Sequence, residues 1–430
     1  MLKTIFFIVS YILTGSRLFA QTADSIHIDQ SEIKDILSFL ASDSLKGRGN
    51  YTIELAKAAN YIAKKFTAIG LEPFMGWPTL HQPFQTFDKK AVARDIIQWN
   101  TKELDAHDFI YLTTEIIPTT KTLADFKIIE IENTLPDSFF YYNSYDSGVL
   151  IWIKKKLSKK EDILPNTAII RTDLLKHNIL IVANENRPEK LLLHLNTDYY
   201  KNMLLNIVGV LPGKSKSDEV VIFSAHYDHL GAEIKRLEDG IYNGANDNAS
   251  GLATLLMLAQ YYAKESNNER TLIFCAFAGE ELGLIGSRVF VNYVDPKTVK
   301  AVINMDMVGI PQNGKKHIFI TGASYSNFAD IFRKELFNSH NNFIVDFYES
   351  EDMFKRSDNY SFAVKGIPAH NFMSIDDRDP CYHKPCDEVN RLDIPYMEIL
   401  IKAIIQGCGS IISNKTTPSR INTARLQSEY

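Results

Sequence analysis

The chain has no excess of positive charge and no apolar run long enough to cross a bilayer. Its 430 residues include 47 Lys and Arg against 52 Asp and Glu, which gives a net charge of −5. This mild acidity argues against nucleic acid or an anionic membrane as the main partner. Internal repeats and low-complexity segments are also absent from the sequence. With 45% hydrophobic residues the chain can bury a sizeable core, as one large domain or two.

The N-terminal segment is typical of a cleavable signal peptide. Lys3 precedes an apolar run, which is followed by small and polar residues that end at Ala20–Gln21. The run is too short for a transmembrane helix. We therefore expect cleavage near Ala20 and a secreted or periplasmic protein.

Cysteine is scarce, with four in the whole chain. Cys275 lies in an apolar, strand-like run and Cys408 in a helical pattern, so we expect both to be buried. Cys381 and Cys386 flank the letters YHKP and could close a small disulfide loop in an oxidising compartment. The sequence leaves this pairing open.

Apolar patterns divide the rest of the chain. Residues 31–70 predict two helices, the first capped by Ser31 and the second ended by Gly70. A β-type region of short apolar runs and polar turns follows. From about residue 204, apolar runs alternate with helical patterns, which predicts an α/β fold with a mostly parallel central sheet covered by helices. We predict these parts: a signal peptide at 1–20, a main domain at 27–82 and 201–413, an inserted β-rich module at 83–200, and a flexible tail at 414–430.

Acidic and imidazole side chains recur where the predicted strands of the main domain end. Ligands of open α/β sheets bind beyond the carboxyl ends of the strands. Taken singly, each residue has a structural explanation, such as a helix cap for an Asp or a solvated pair for two Glu. A shared site explains why all of them lie at one edge of the sheet. They are His226, Asp228, Asp247, Glu280, Glu281, Asp306 and His383.

Two His and three carboxylates fit a pair of zinc ions that share one bridging carboxylate. The absence of Cys among these residues favours a hydrolytic site over a closed structural one. A further carboxylate must stay outside the ligand set to handle protons. Glu280 and Glu281 supply both kinds, because adjacent side chains point in different directions.

The motifs that carry these residues closely resemble those of the dizinc aminopeptidase family. This family includes secreted bacterial leucine aminopeptidases, and its relatives are glutamate carboxypeptidase II, glutaminyl cyclase and the transferrin receptor. The resemblance covers about residues 30–75 and 204–410 and implies the zinc exopeptidase fold. The matching stretches are FLASDSLKGRGN, SAHYDHLG, NGANDNASG, AFAGEELGLIGS, INMDMVG, RSDNYSFAVKGIPAHNF and YHKPCDE.

The resemblance implies a role for each residue. Asp247 would bridge two zinc ions, with His226 and Asp306 on one ion and Glu281 and His383 on the other.

The remaining roles concern protons and orientation. Glu280 would be the general base, and Tyr382 could donate its hydroxyl to the oxyanion. Asp228 would orient the ring of His226, and His229 would support the loop.

The implied function is a dizinc metallo-exopeptidase that releases N-terminal amino acids from peptides by attack of a zinc-bridging water. The alternatives are a carboxypeptidase or dipeptidase of the same fold and, less favoured, a glutaminyl cyclase or an inactive receptor-like binding module. The chain departs from the family at Asn359, where His is common, and at Lys384, where Thr is common. Neither change removes a ligand or the base, so they bear on substrate preference.

Overall fold

The computed structural model describes residues 26–89, 96–104, 109–113, 119–131, 147–154, 169–171, 177–195, 199–233, 239–348 and 351–428. The predicted signal peptide lies outside these residues.

Two helices open the described chain, as predicted. Helix α1 (Gln30–Leu40) is capped by Asp29, whose carboxylate accepts a hydrogen bond from the main-chain N–H of Ser31 at 2.8 Å. The prediction of Ser31 as the cap is therefore wrong, because the earlier Asp29 is placed to accept from the first turn. Helix α2 (Ile53–Ile69) ends at Gly70, whose φ of 89° lies in the left-handed region that glycine adopts without strain.

The other elements are numbered along the described chain. The strands are β1 (Glu72–Pro73), β2 (His81–Lys89), β3 (Ile96–Trp99), β4 (Lys102–Glu103), β5 (Phe109–Thr113), β6 (Thr119–Thr122), β7 (Phe126–Ile131), β8 (Gly148–Ile153), β9 (Ile169–Arg171), β10 (Ile179–Ala183), β11 (Leu191–Leu195), β12 (Tyr199–Leu211), β13 (Lys216–His226), β14 (Gly231–Ala232), β15 (Ile241–Tyr242), β16 (Arg270–Phe277), β17 (Val299–Met305), β18 (His317–Thr321), β19 (Ile344–Tyr348) and β20 (Ala369–Met373). The helices are α3 (Gly251–Glu265), α4 (Ile285–Phe290), α5 (Phe328–Asn338), α6 (Glu351–Lys355), α7 (Asn359–Ala363), α8 (Ile394–Gly407), α9 (Gly409–Ile412) and α10 (Thr423–Ser428).

A large sheet runs through the molecule. Its order is β19-β18-β20-β17-β13-β16-β12, continued by β2-β9-β5-β10-β8-β7, with β1 paired to β12. The four strands in the middle of the first part, β20, β17, β13 and β16, are all parallel. The predicted α/β fold with a mostly parallel central sheet is confirmed.

Helices cover both faces of this sheet. Alternate residues of β13 enter opposite apolar clusters, Val221 and Phe223 on one side and Ile222 on the other. The first cluster packs under α1, α2, α3 and α8, and the second under α4 and α7. Cys275 and Cys408 are buried free thiols, as predicted. Among the described helices, none combines the length and apolarity needed to cross a bilayer.

Strands dominate the described residues between 83 and 200. A four-stranded sheet, β4-β3-β11-β6, packs against the far part of the large sheet through an apolar cluster that includes Trp99, Trp152 and Leu193. Strands β2 and β12 pair from His81 opposite Ile207 to Lys89 opposite Tyr199. The predicted module boundaries at 83 and 200 thus fall inside two strands that continue from one part into the other.

The C-terminal segment packs against the core, so the structure does not support a flexible tail at 414–428. Ile421 and Leu426 are buried in the second apolar cluster. The guanidinium of Arg270 donates to the carbonyl oxygen of Thr416 at 2.8 Å and to the hydroxyl of Thr417 at 2.6 Å. The segment is polar in composition, but its few apolar side chains and a buried cation fix its position.

Candidate metal centre

Three parallel strands end at one edge of the sheet and deliver most of the candidate ligands. His226 is the last residue of β13, and Asp306 follows the last residue of β17. Glu280 and Glu281 follow β16 by a few residues. Because β16 and β17 are the two parallel neighbours of β13, their carboxyl ends bring these side chains together.

Two loops supply the remaining residues. Asp247 lies in a π-helical turn, Ala245–Ser250, directly before α3, and its peptide bond to Asn248 is cis. The carboxylate of Asp387 accepts hydrogen bonds from the main-chain N–H groups of Asn246 and Asp247 at 2.9 and 3.0 Å. His383 lies in the loop between β20 and α8, where its ring stacks on that of Tyr382 with 3.9 Å between centroids.

The five candidate ligands form two groups that share Asp247. His226 Nε2 lies 3.3 Å from Asp247 Oδ1 and 3.5 Å from Asp306 Oδ1. His383 Nε2 lies 3.2 Å from Asp247 Oδ2 and 3.4 Å from Glu281 Oε2. Each oxygen of Asp247 therefore faces a different group.

This donor set fits metal ions. The ligand atoms of each group lie within 4.8 Å of one another. Asp306 Oδ1 is a buried atom with no hydrogen-bond partner among the described residues. An unpartnered buried carboxylate oxygen is costly unless a cation compensates it. Imidazole nitrogens together with carboxylate oxygens suit zinc.

In the metal-free protein, the pKa values of the two adjacent glutamates shift in opposite directions. Burial, reinforced by Glu281 and Asp306, raises the pKa of Glu280 well above its ordinary value despite the attraction of His226. Burial and Asp247 also act to raise the pKa of Glu281. Hydrogen bonds from His229 and His383 outweigh them and lower it to about 2.

Asp247 remains ionised in the same surroundings. Burial opposes its ionisation, but His229, His226 and His383 together hold its pKa well below the ordinary range. Pairs of carboxyl groups with divergent pKa values indicate divided roles at catalytic sites. Glu280 is thus the carboxyl group suited to exchange a proton, and Glu281 and Asp247 are suited to bind a cation.

Asp228 acts on both the histidine and the glutamates. Its main-chain carbonyl lies 3.1 Å from His226 Nδ1, which leaves Nε2 free to face the carboxylates, whereas its carboxylate lies 3.8 Å from Nδ1. That carboxylate accepts a hydrogen bond from Asn50 at 2.7 Å and from the main-chain N–H groups of Glu280 and Glu281 at 3.2 Å each. The Asp228 carboxylate therefore fixes the position of Glu280 and Glu281 through hydrogen bonds, and it contacts the ring of His226 less closely.

Two supporting residues, Ser357 and Asn304, went unrecognised in the sequence, although they lie in the quoted motifs. Ser357 donates to Asp306 Oδ2 at 2.7 Å and accepts from Asn304 Nδ2 at 2.8 Å, which fixes the Asp306 carboxylate. His229, which the sequence analysis expected to support its loop, places Nδ1 2.8 Å from Glu281 Oε1 and so fixes the Glu281 carboxylate. His229 also falls within the second group of potential ligands.

A pocket opens directly over the two groups. Met307, Met353 and Met373 supply much of its apolar lining, and Arg356 and Tyr382 contribute polar atoms. A disulfide joins Cys381 to Cys386 and so brackets Tyr382 and His383 in one small ring. The structure thus forms the bond that the sequence left open.

Comparisons with known proteins agree with this geometry. Residues 206–406, which contain all five candidate ligands, match the family model of peptidase family M28. The match confirms, over these residues, the resemblance found in the sequence.

The relatives bear aminopeptidase names. A probable leucine aminopeptidase of Trichophyton verrucosum is 31% identical over 201 residues, which is 45% of this chain and 53% of that protein. Aminopeptidase YwaD of Bacillus subtilis is 27% identical over 198 residues, which is 44% of this chain and 40% of that protein. The chain thus spans about half the length, or less, of the curated relatives it matches.

Solved structures share the fold. The aminopeptidase from Aneurinibacillus sp. strain AM-1 aligns with a TM-score of 0.54 at 18% identity and covers 89% of this chain and 93% of its own. The zinc aminopeptidase BSAP from Bacillus subtilis aligns with a TM-score of 0.53 at 18% identity and covers 92% of this chain and 99% of its own.

Proposed function

We propose that the protein is a zinc aminopeptidase that removes N-terminal residues from peptides. The observation that carries the proposal is the pair of donor groups that share Asp247, with Glu280 beside them in the lining of a pocket. The aminopeptidase names of the relatives and the match to peptidase family M28 support it.

Two zinc ions fit the donor set. His226 and Asp306 would hold one ion, Glu281 and His383 the other, and Asp247 both. When bound, zinc lowers the pKa of water and polarises a carbonyl group.

Glu280 is the proposed general base. Its Oε2 lies 4.0 Å from His226 Nε2, beside the ligands but outside both groups. Burial raises its pKa, so this carboxyl group can take a proton from the attacking water and return it to the leaving amine. The Asp228 carboxylate fixes the main chain from which Glu280 projects.

Tyr382 is the proposed oxyanion donor. Its ring lies against that of His383, and the residue lines the pocket. A donor placed where negative charge develops on the substrate oxygen stabilises the transition state more than the ground state.

The pocket lining supports an apolar side chain on the first residue of the substrate. Methionine side chains are flexible and polarisable, so Met307, Met353 and Met373 can adapt to leucine or methionine.

A panel of small substrates tests the proposal. Peptides that begin with leucine or methionine and have a free amino group should be hydrolysed. Amidation of their C-terminus should not prevent cleavage. N-acetylation should abolish cleavage. Cleavage of N-acetylated peptides with a requirement for a free C-terminus would instead establish a carboxypeptidase, and a requirement for both free termini would establish a dipeptidase.

We also propose that the protein acts in an oxidising compartment, secreted or periplasmic. The Cys381–Cys386 disulfide supports this location, since such bonds persist outside the reducing cytosol. Cell fractionation combined with thiol labelling tests this location. Protein that is retained in the cytosol with Cys381 and Cys386 both labelled as free thiols would contradict the proposal.

A further inference from the structure

Arg356 lies in the wall of the pocket, outside the proposed ligand set and in the stretch RSDNYSF. Its Nη2 donates a hydrogen bond to the hydroxyl oxygen of Tyr382 at 3.0 Å. Its Nη1 donates to Asp377 Oδ2 at 2.7 Å. The guanidinium carbon lies 5.8 Å from the centroid of the Tyr382 ring. The guanidinium therefore links the carboxylate of Asp377 to the hydroxyl of Tyr382.

The chemistry of the guanidinium fixes the direction of this bond. Arginine has donors and no acceptor, so the Tyr382 oxygen must accept. A phenol has a single proton, and that proton must then point away from Arg356. Among the hydrogen bonds of the described residues, none uses the Tyr382 proton. The proton is thus left for a partner that enters the pocket.

A second contact fixes the ring itself. The Tyr382 ring lies nearly parallel to the His383 ring, with 3.9 Å between centroids and 23° between planes. The stacking sets the plane of the phenol, and the Arg356 bond sets where its oxygen lies within the pocket. Asp377 in turn holds the guanidinium, so the position does not depend on Arg356 alone.

We propose that Arg356 is a positioning residue, which keeps the Tyr382 oxygen as an acceptor and so directs the Tyr382 proton to the oxyanion of the substrate. The inference rests on the proposed function, because it assigns Arg356 a part in the same reaction. The Arg356 side chain is 43% exposed, so water competes for its bonds and its effect should be smaller than that of Tyr382 itself.

A double-mutant cycle tests the inference. Tyr382→Phe should lower kcat by about 10²-fold, the loss typical of one oxyanion donor. Arg356→Gln should lower kcat by roughly 10-fold with little change in KM, since only the developing charge is affected. In the Tyr382→Phe background, Arg356→Gln should have almost no further effect. Arg356→Lys, which keeps one charged donor, should recover part of the loss.

A binding measurement separates this inference from the proposed function. The phosphonic acid analogue of leucine carries a charged tetrahedral group, whereas leucine itself does not. Arg356→Gln should weaken binding of the phosphonate by roughly 10-fold and leave leucine binding and zinc content unchanged.

Three results would overturn the inference. The first is an equal fall in kcat on Arg356→Gln in the wild-type and Tyr382→Phe backgrounds. The second is normal turnover in Tyr382→Phe. The third is unchanged affinity of Arg356→Gln for the phosphonate. Absence of aminopeptidase activity in the wild-type protein would instead refute the proposed function, and the phosphonate measurement would still decide the role of Arg356.

Discussion

At the scale of single residues, the adjacent glutamates show how one peptide supports two roles. The Asp228 carboxylate accepts from both main-chain N–H groups, so Glu280 and Glu281 start from a fixed point and diverge. Glu281 meets His229 and His383, which favour its ionised form. Among the described residues, no histidine donates a hydrogen bond to the carboxylate of Glu280, and burial raises the pKa of this group and hence its affinity for a proton.

The same chemical change at the two positions should therefore have different results. In Glu280→Gln the amide cannot accept a proton, so kcat should fall by about 10²–10⁴-fold while both zinc ions stay bound. In Glu281→Gln the charge of a proposed ligand is lost, so one ion should be lost or bound more weakly, together with a loss of activity. Turnover and elemental analysis of both variants check this. Zinc loss in Glu280→Gln with retention in Glu281→Gln would reverse the assignment.

The disulfide should contribute to activity through His383. The ring closed by Cys381 and Cys386 restricts the loop that holds Tyr382 and His383. Breaking it should lower activity and weaken retention of the second zinc ion, as measured with a reductant and in the double Cys→Ser variant. The matched control is reductant added to that variant, which should do nothing more. Two free thiols in active, exported protein, found by mass mapping, would refute the role.

At the scale of elements, one buried cation, Arg48, ties the N-terminal segment to the loops that flank the proposed metal ligands. Arg48 is fully buried and donates to four main-chain carbonyls, those of Leu40, Tyr227, Asn243 and Gly244, at 2.6 to 2.9 Å. Burial lowers its pKa to about 10, against the pull of the site carboxylates, so it stays charged at neutral pH.

Replacing Arg48 should cost stability and metal affinity together. Arg48→Met leaves buried carbonyls without donors, and we expect a loss of about 3–5 kcal/mol in the free energy of unfolding. Arg48→Lys keeps the charge but cannot reach all four carbonyls, so its loss should be intermediate. Urea unfolding and zinc titration of both variants provide the measurement. A loss below about 1 kcal/mol in Arg48→Met would show that water replaces these bonds.

Sequence patterns predicted the elements and the ends of the strands better than the contacts between distant segments. His226 and Asp306 could be placed because apolar runs show where a buried strand ends. The bond from Arg356 to Tyr382 spans 26 positions, and that from Asp247 to Asp387 spans 140. Such contacts depend on how loops fold back over the sheet, which local periodicity does not encode. The packing of Ile421 went unpredicted for the same reason.

At the scale of the whole molecule, metal binding and protonation compete. Burial alone would lower the pKa of His383, but Asp247 and Glu281 raise it to about 10, and carboxylates raise that of His226 well above its ordinary value. Proton binding to His383 therefore stabilises the metal-free fold below the ordinary imidazole pKa of 6.5, and this contribution is lost as the pH rises towards 10. Zinc requires the neutral imidazole and so binds more tightly as the pH rises.

The stabilisation given by zinc should consequently grow with pH. We expect the difference in Tm between zinc-loaded and chelator-treated protein to be small at pH 5 and to increase steadily to pH 8. Zinc should also be lost to a chelator most readily at the acidic end. The control is His383→Gln, in which the pH dependence of the second ion should be reduced. A Tm difference that does not change with pH would contradict the competition.

The pairing of β2 with β12 also limits which insertions and deletions the two strands can tolerate. Side chains alternate between the two faces of a strand, so inserting or deleting one codon within either strand would reverse the facing of every residue beyond it. The far part of the sheet would then turn its apolar side towards water. Length variation among natural versions of this protein should therefore occur in the connecting loops, and single-codon changes between residues 81–89 or 199–207 should be selected against.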